Sequence, residues 1–142
     1  MMNLHVELKQ INDSLGHLAG DAVLRELARR LQGSLRAYDF IGRYGGEEFL
    51  AVIPSCSPGD LAAGAERIRR CVADRPIATP AGEISCTISL GVASASLHSG
   101  NLPEYELLLR ISDEALYLAK ANGRNRVEIS PHRQAVAQAG SG

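Results

Sequence analysis

Hydrophobic positions recur along this chain with two periods, and the switches between them mark out the elements. Over residues 21–35, Leu24, Leu27, Ala28, Leu31 and Leu35 fall three or four apart, with Arg25, Glu26, Arg29 and Arg30 between them. That spacing predicts an amphipathic helix. Asp21 stands at its start and Arg36 near its end, each with the charge sign the helix dipole favours. Residues 39–44 and 47–53 predict a hairpin closed by the two-residue turn Gly45-Gly46, both glycines tolerating positive φ. Pro54 stops the second strand. A second helix is predicted over 60–73, with Leu61, Ala65, Ile68 and Val72 on one face; Pro76 and Pro80 break the segment after it. Residues 84–92 alternate: Ile84, Cys86, Ile88, Leu90 and Val92 on one side, Ser85, Thr87, Ser89 and Gly91 on the other. This predicts one continuous strand. A polar loop with Ser99, Gly100 and Asn101 leads to Pro103, a good first helical residue. A third helix then runs over 104–121 on Leu108, Ile111, Ala115, Leu118 and Ala119. Gly123 stands where a glycine C-cap belongs. A short strand over 126–129 precedes Pro131, and the tail from 132 to 142 has no periodicity and is expected to be disordered.

Helices and strands mix without strict alternation, and one hairpin is explicit. The fold class is therefore α+β, a central, mostly antiparallel sheet with helices packed on it. Strands 47–53 and 84–92 are expected at its centre, burying helices 21–35 and 104–121. The chain's 142 residues suit one domain, placed at 1–130, with 131–142 as the tail.

Composition narrows the function more by exclusion than by assignment. Lys plus Arg is 15 and Asp plus Glu is 16, a net charge of -1, which argues against a protein that coats a nucleic acid polymer. Aromatics are 4% and Trp is absent, too few for a base-stacking platform. Cys56, Cys71 and Cys86 form no C-x-x-C pair, and their number is odd, so neither a disulfide framework nor a zinc site is expected. Reduced thiols point to the cytoplasm. No apolar run approaches the roughly 18 residues of a membrane span.

Four short constellations could carry chemistry, and each also has an ordinary structural reading. Glu47 and Glu48 come directly after the glycine turn; two carboxylates so close repel, which a divalent cation such as Mg²⁺ would relieve. They equally suit a solvated hairpin end. Lys9-Gln10-Ile11-Asn12-Asp13, with Asp21 beyond, offers donors and acceptors able to read a guanine edge, or simply turn and cap chemistry. Lys120 and Arg124 flank Gly123 at a helix C-terminus, suiting phosphate oxygens or dipole complementation. Arg36-x-x-Asp39 could bind base and phosphate, or form a surface ion pair. His5, His17, His98 and His132 have no ligand-like spacing, and no catalytic role is expected of their side chains.

Taken in order, these features resemble the GGDEF family of diguanylate cyclase domains, here in a GGEEF variant. The resemblance rests on Ile11-Asn12-Asp13, Gly16-His17 and Gly20-Asp21, then Arg43-Tyr44-Gly45-Gly46-Glu47-Glu48-Phe49. Ser89-Leu90-Gly91-Val92, and Ala115-Leu116-Tyr117-Leu118-Ala119-Lys120 with Gly123-Arg124-Asn125, complete it. It spans about Lys9 to Val127. The resemblance implies a palm-like nucleotide-cyclase fold and a bacterial signalling transferase that condenses two GTP into cyclic di-GMP and two pyrophosphates. It implies a homodimer for turnover and Mg²⁺, or Mn²⁺ in its place. By position, Asn12 and Asp21 would read guanine, and Glu47 and Glu48 would bind metal and serve catalysis. The backbone carbonyl of His5 would assist at the metal. Lys9, Lys120, Arg124, Gly45, Gly46 and the amides of Glu7 and Leu8 would border the phosphates. Arg36, Asp39 and Arg67 would form a product-binding inhibitory site. An upstream regulatory domain is also implied, in a parent protein for which membrane anchoring is compatible with a cytoplasmic domain.

The sequence departs from the family at its first strand, where Asp-x-Asp-x-Phe usually precedes the Lys-x-Ile-Asn-Asp run. Those positions are Leu4, Val6 and Leu8 here, and the family's first helix and the start of its first strand are missing. Glu7 is expected on the strand face opposite Leu4 and Val6. Two functions remain open: a cyclase, or a non-catalytic domain that binds GTP or cyclic di-GMP.

Overall fold

The protein is described from a computed structural model that covers residues 1–54, 56–94 and 105–130. The expected tail, the loop with Ser99 to Asn101, and Pro103 lie outside the described residues. Within them, the elements run β1 (Met2–Val6), α1 (Leu8–Leu15), α2 (His17–Gly33), β2 (Phe40–Arg43), β3 (Glu48–Val52), α3 (Pro58–Ala73), β4 (Ile77–Thr79), β5 (Gly82–Ile84), β6 (Ile88–Val92), α4 (Tyr105–Ala121) and β7 (Val127–Ile129).

Five strands form one sheet in the order β2-β3-β1-β6-β7, antiparallel except for the parallel pair β6–β7. The expected α+β architecture is thus present. Its centre, however, is β1, which separates β3 from β6; the two strands expected there are its neighbours. Register sets the two faces. Leu4 lies opposite Phe49 and Leu90, and these side chains join Met2, Val6, Ala51, Ile88 and Val92 in the core with α2 and α3. The other face carries Asn3, His5, Glu48, Leu50, Ser89 and Gly91, since neighbours alternate along a strand. α4 covers the Gly91 end of that face. A Cβ on Gly91 would stand 2.2 Å from the Ser112 carbonyl and 2.3 Å from the Leu116 nitrogen, so only glycine allows this approach. The β1–β3 end of the same face holds His5 and Glu48.

The alternating stretch 84–92 is not one strand. Ile84 pairs with Ile77 in the separate β4–β5 ribbon, and only 88–92 enters the main sheet. Alternation continues across the break because Cys86 and Ile88 both point into the core; it reports faces, not partners. Nor is β6 half-exposed, because helices cover both its faces and all five residues are buried.

The hairpin turn also differs from expectation. Tyr44 N–H donates to the Glu48 carbonyl at 2.6 Å, leaving Gly45, Gly46 and Glu47 as a three-residue loop in which Gly45 alone has positive φ, +82°. Arg43 closes the loop by donating to the Gly46 carbonyl at 2.9 Å. α4 ends as expected at Gly123, with φ +118°. Arg124 N–H donates to the Ala119 carbonyl at 2.8 Å and Gly123 N–H to that of Lys120 at 3.4 Å. These are the two bonds of a Schellman cap.

Candidate functional site

Because Glu47 lies in the loop rather than on β3, strand alternation does not separate its carboxylate from that of Glu48. The Val6 N–H donates to the Glu47 carbonyl at 3.0 Å, which fixes the loop beside the end of β1. The Glu47 carboxylate then meets two partners. Its Oε1 accepts from the Lys9 backbone N–H at 2.8 Å, and its Oε2 lies 3.1 Å from His5 Nε2. Lys9 is in the first turn of α1, where backbone N–H groups have no helical acceptor and favour an anion. Glu48 lies opposite His5 in the β1–β3 register, on the same face, and its charge acts on the imidazole.

On its other edge the imidazole faces Glu7: Nδ1 is 3.3 Å from Oε1, and the same carboxylate is paired with the Arg124 guanidinium. A chain of polar contacts therefore runs Arg124–Glu7–His5–Glu47. Lys120, half-buried in the last turn of α4, also acts on His5. Burial, and then the Lys120 charge, hold the imidazole pKa below its ordinary value; Glu47 and Glu48 oppose them.

The first-strand expectation is corrected here. Leu4 and Val6 are each 1% exposed and point into the core, so a carboxylate at either position would be aimed away from Glu47. The β1 side chain that reaches Glu47 is His5, expected to offer only its carbonyl. Glu7 is indeed opposite to Leu4 and Val6, but it stands past the strand as the N-cap of α1, and so turns back onto His5. The alternation Asn3, His5 against Leu4, Val6 carries this signal in the sequence; aligning the strand to the family's aspartates hides it.

Asn12 and Asp21 flank the α1–α2 corner, which Gly16 turns with φ +87°. A Cβ on Gly20 would lie 1.8 Å from Asn12 Oδ1, so the carboxamide packs directly on the α2 backbone one residue before Asp21. Asn12 Oδ1 is buried and has no hydrogen-bond partner. Asp21 lines a cavity of about 410 Å³ between α2 and the hairpin, with Leu24, Arg25, Arg43 and Phe49. One orphan acceptor and one carboxylate beside an apolar slot suit a planar ring that carries N–H donors.

A second cavity, of about 320 Å³, brings Arg36, Asp39 and Arg67 together, with Asp60 and Cys56. The Asp39 side chain is 3% exposed; its Oδ2 accepts from the Arg36 N–H at 2.8 Å, and its Oδ1 is buried without a partner. Arg36 lies over the Tyr38 ring at 5.0 Å. The guanidiniums that line the cavity suit an anion, and the orphan carboxylate oxygen a donor.

Glu47, Glu48 and His5 suit a divalent cation by donor chemistry. Among the described residues, though, no group of three or more His, Cys, Asp and Glu side chains converges into a ready cage. Ligands from substrate or water would have to complete the shell. No helix of the described residues is long and apolar enough to cross a membrane.

The family model described as "Diguanylate cyclase, GGDEF domain" matches residues 1–126. Response regulator PleD of Caulobacter vibrioides is 47% identical over 121 residues, 84% of this chain and 26% of that protein. Diguanylate cyclase DosC of Escherichia coli is 41% identical over 124 residues, 87% of this chain and 26% of that protein. The chain thus spans about a quarter of the length of these relatives. Among solved structures, the active GGEEF domain of a Vibrio cholerae diguanylate cyclase matches with TM-score 0.80 and 37% identity, over 91% of this chain and 80% of that one. The GGDEF domain of DgcB from Caulobacter crescentus, solved in complex with c-di-GMP, matches with TM-score 0.81 and 31% identity, over 90% of this chain and 75% of that one.

Proposed function

The chain belongs to the GGDEF family of diguanylate cyclase domains, and on that premise we propose that it condenses two GTP into cyclic di-GMP. In a two-fold pair, each copy holds one GTP, and each 3′-hydroxyl attacks the α-phosphate of the other nucleotide. Two phosphodiester bonds form and two pyrophosphates leave. The observation that carries this reading is the placement of Glu47: a carboxylate held in a glycine loop by the first-turn amide of α1, the helix that also presents Asn12.

The residues divide the work by position. Asn12 Oδ1 at the α1–α2 corner and the Asp21 carboxylate at the edge of the α2 cavity accept the guanine N1–H and N2–H groups. The Gly45-Gly46 loop keeps bulk away from the phosphates. Lys9, Lys120 and Arg124 offset the triphosphate charge; Arg124 then exchanges Glu7 for phosphate oxygen. Glu47 and Glu48, with the His5 carbonyl, would hold Mg²⁺ or Mn²⁺. Such a cation supplies charge neutralisation at phosphate oxygens and eases deprotonation of the 3′-hydroxyl. The protein's own part is mostly positioning and charge placement, as in other phosphoryl and nucleotidyl transfers.

The Arg36, Asp39 and Arg67 cavity is assigned to product, which would restrain turnover as it accumulates. A homodimer, an upstream regulatory domain and a cytoplasmic site of action complete the proposal, as does the domain boundary at residue 130. No nucleic acid polymer is a partner. A second reading, a domain that binds GTP or cyclic di-GMP without turnover, is favoured by one observation: the β1 side chains on the site face are Asn3 and His5, so β1 presents no carboxylate to Glu47.

GTP turnover separates the two. The purified chain at high concentration, with GTP and Mg²⁺ or Mn²⁺, should yield cyclic di-GMP by chromatography, and Glu48→Ala should abolish it. Product that persists in Glu48→Ala refutes the proposed site. GTP binding without product under either cation establishes the second reading.

A further inference from the structure

The His5 side chain has not been given a task. It is half-buried, projects from the central strand, and is aimed between two carboxylates. We propose that His5 Nε2 is itself a metal ligand, paired with Glu47 Oε2, and that the site therefore selects a first-row transition dication over Mg²⁺. This rests on the reading of Glu47 as a cation ligand and deepens it.

The two atoms share a hydrogen bond, and their separation is also that of two ligands on one ion. His5 Nε2 and Glu47 Oε2 are 3.1 Å apart. Two donors each about 2.1 Å from a metal are about 3.0 Å apart when cis in an octahedron and about 3.4 Å apart in a tetrahedron. An ion that replaced the shared proton would require the ring and the carboxylate to turn until both lone pairs converge on it. The other ring nitrogen completes the arrangement. Nδ1 faces Glu7 Oε1 at 3.3 Å, and Glu7 is held in turn by Arg124. A carboxylate behind a histidine is the usual outer support of a metal-bound imidazole: it accepts a hydrogen bond from Nδ1–H, fixes the ring plane and leaves the Nε2 lone pair to the ion. Both His5 Nδ1 and Glu7 Oε1 are buried and make no well-formed hydrogen bond as they stand. A small ring rotation on coordination would let them form one.

The preference comes from donor type. Mg²⁺ dehydrates reluctantly and takes oxygen ligands, whereas imidazole suits borderline ions and gains strength from Mn²⁺ towards Co²⁺ and Ni²⁺. His5 Nε2 and Glu47, with Glu48 on the same face, leave the remaining positions to water or phosphate oxygen.

The test uses the metal alone, without nucleotide. The chain is stripped with chelator and titrated calorimetrically with Mg²⁺, Mn²⁺ and Co²⁺, with Co²⁺ visible absorption and the imidazole ¹H–¹⁵N resonances as further readouts. Mn²⁺ and Co²⁺ should bind at least tenfold more tightly than Mg²⁺. Substoichiometric Mn²⁺ should broaden His5 before the exposed His17. His5→Asp should shrink the Co²⁺-to-Mg²⁺ preference about tenfold or more, and Glu7→Gln should weaken Co²⁺ binding about tenfold. Circular dichroism of each variant shows that it is folded. An unchanged preference in folded His5→Asp, or a His5 resonance untouched by Mn²⁺, overturns the proposal. If Glu47→Gln then still removes binding, the cation site stands as an all-carboxylate one and only the His5 assignment fails. If Glu47→Gln has no effect either, the reading of Glu47 fails with it.

Discussion

Replacing Arg30 with methionine should cost this domain about 3–5 kcal/mol, although the residue lies in neither cavity. Its side chain is 5% exposed and emerges from α2 against the end of α3. Nη1 donates to the carbonyls of Cys71 and Val72 at 3.3 Å and of Arg75 at 2.9 Å; Nη2 donates to that of Pro76 at 2.9 Å, and Nε to Glu26 at 3.0 Å. Cys71 and Val72 are in the last turn of α3, where carbonyls have no helical donor. A cation there also complements the helix dipole. Five charge-assisted bonds at about 1.5–3 kcal/mol each would approach or exceed a typical domain's whole stability, so they do not add. Two are long, and water can reach some of the freed carbonyls. The loss expected on removing one partner of a buried, charged cluster is about 3–5 kcal/mol, a fall in Tm of roughly 6–20 °C. Methionine keeps the apolar stem, so packing changes little. Urea unfolding followed by circular dichroism gives the number, with an unchanged slope expected. Acid adds a second reading. Hydrogen bonds from Arg29 and then Arg30 hold the Glu26 carboxyl at about 2, below its ordinary value of 4.5. Its contribution is complete above pH 4.5 and lost as pH falls toward 2. That slope should flatten in Arg30→Met. A loss under 1 kcal/mol would refute the cap argument.

Two glycines and one thiol give sharper local tests. Gly20→Ala meets the movable end of the Asn12 side chain, so it should cost under about 1 kcal/mol of stability yet weaken GTP binding tenfold or more by fluorescence titration. Gly91→Ala meets the α4 backbone and should cost about 3 kcal/mol or more in urea unfolding; equal costs at the two sites would contradict both accounts. Burial pushes the Cys86 thiol up to about 11. A disulfide reagent at pH 8 should therefore label half-buried Cys56 and Cys71 and spare Cys86 until denaturant is added, as mass spectrometry would show.

Much of this protein is written locally. Most of each helix over 17–33, 58–73 and 105–121 arises from apolar spacing of three and four, because such a stripe has to be buried whatever it packs against; α1, and the first turn of α2 ahead of the expected start at Asp21, do not. The hairpin and the Gly123 cap arise from backbone freedom that only glycine supplies. The ordered motifs around Asn12, Glu47 and Lys120 carry the family resemblance without any coordinates. Pairing is another matter. Alternation over 84–92 states which side chains point inward but not which strand lies alongside, so the break at 85–87 and the transfer of Ile84 to the β4–β5 ribbon are decided by the rest of the sheet. The same holds at the site. That Leu4 points into the core and His5 towards Glu47 depends on β1 lying between β3 and β6 in one register, and a slip of one residue would exchange the two faces. Local sequence sets the periods; only the packed sheet decides which side of β1 becomes core and which becomes site.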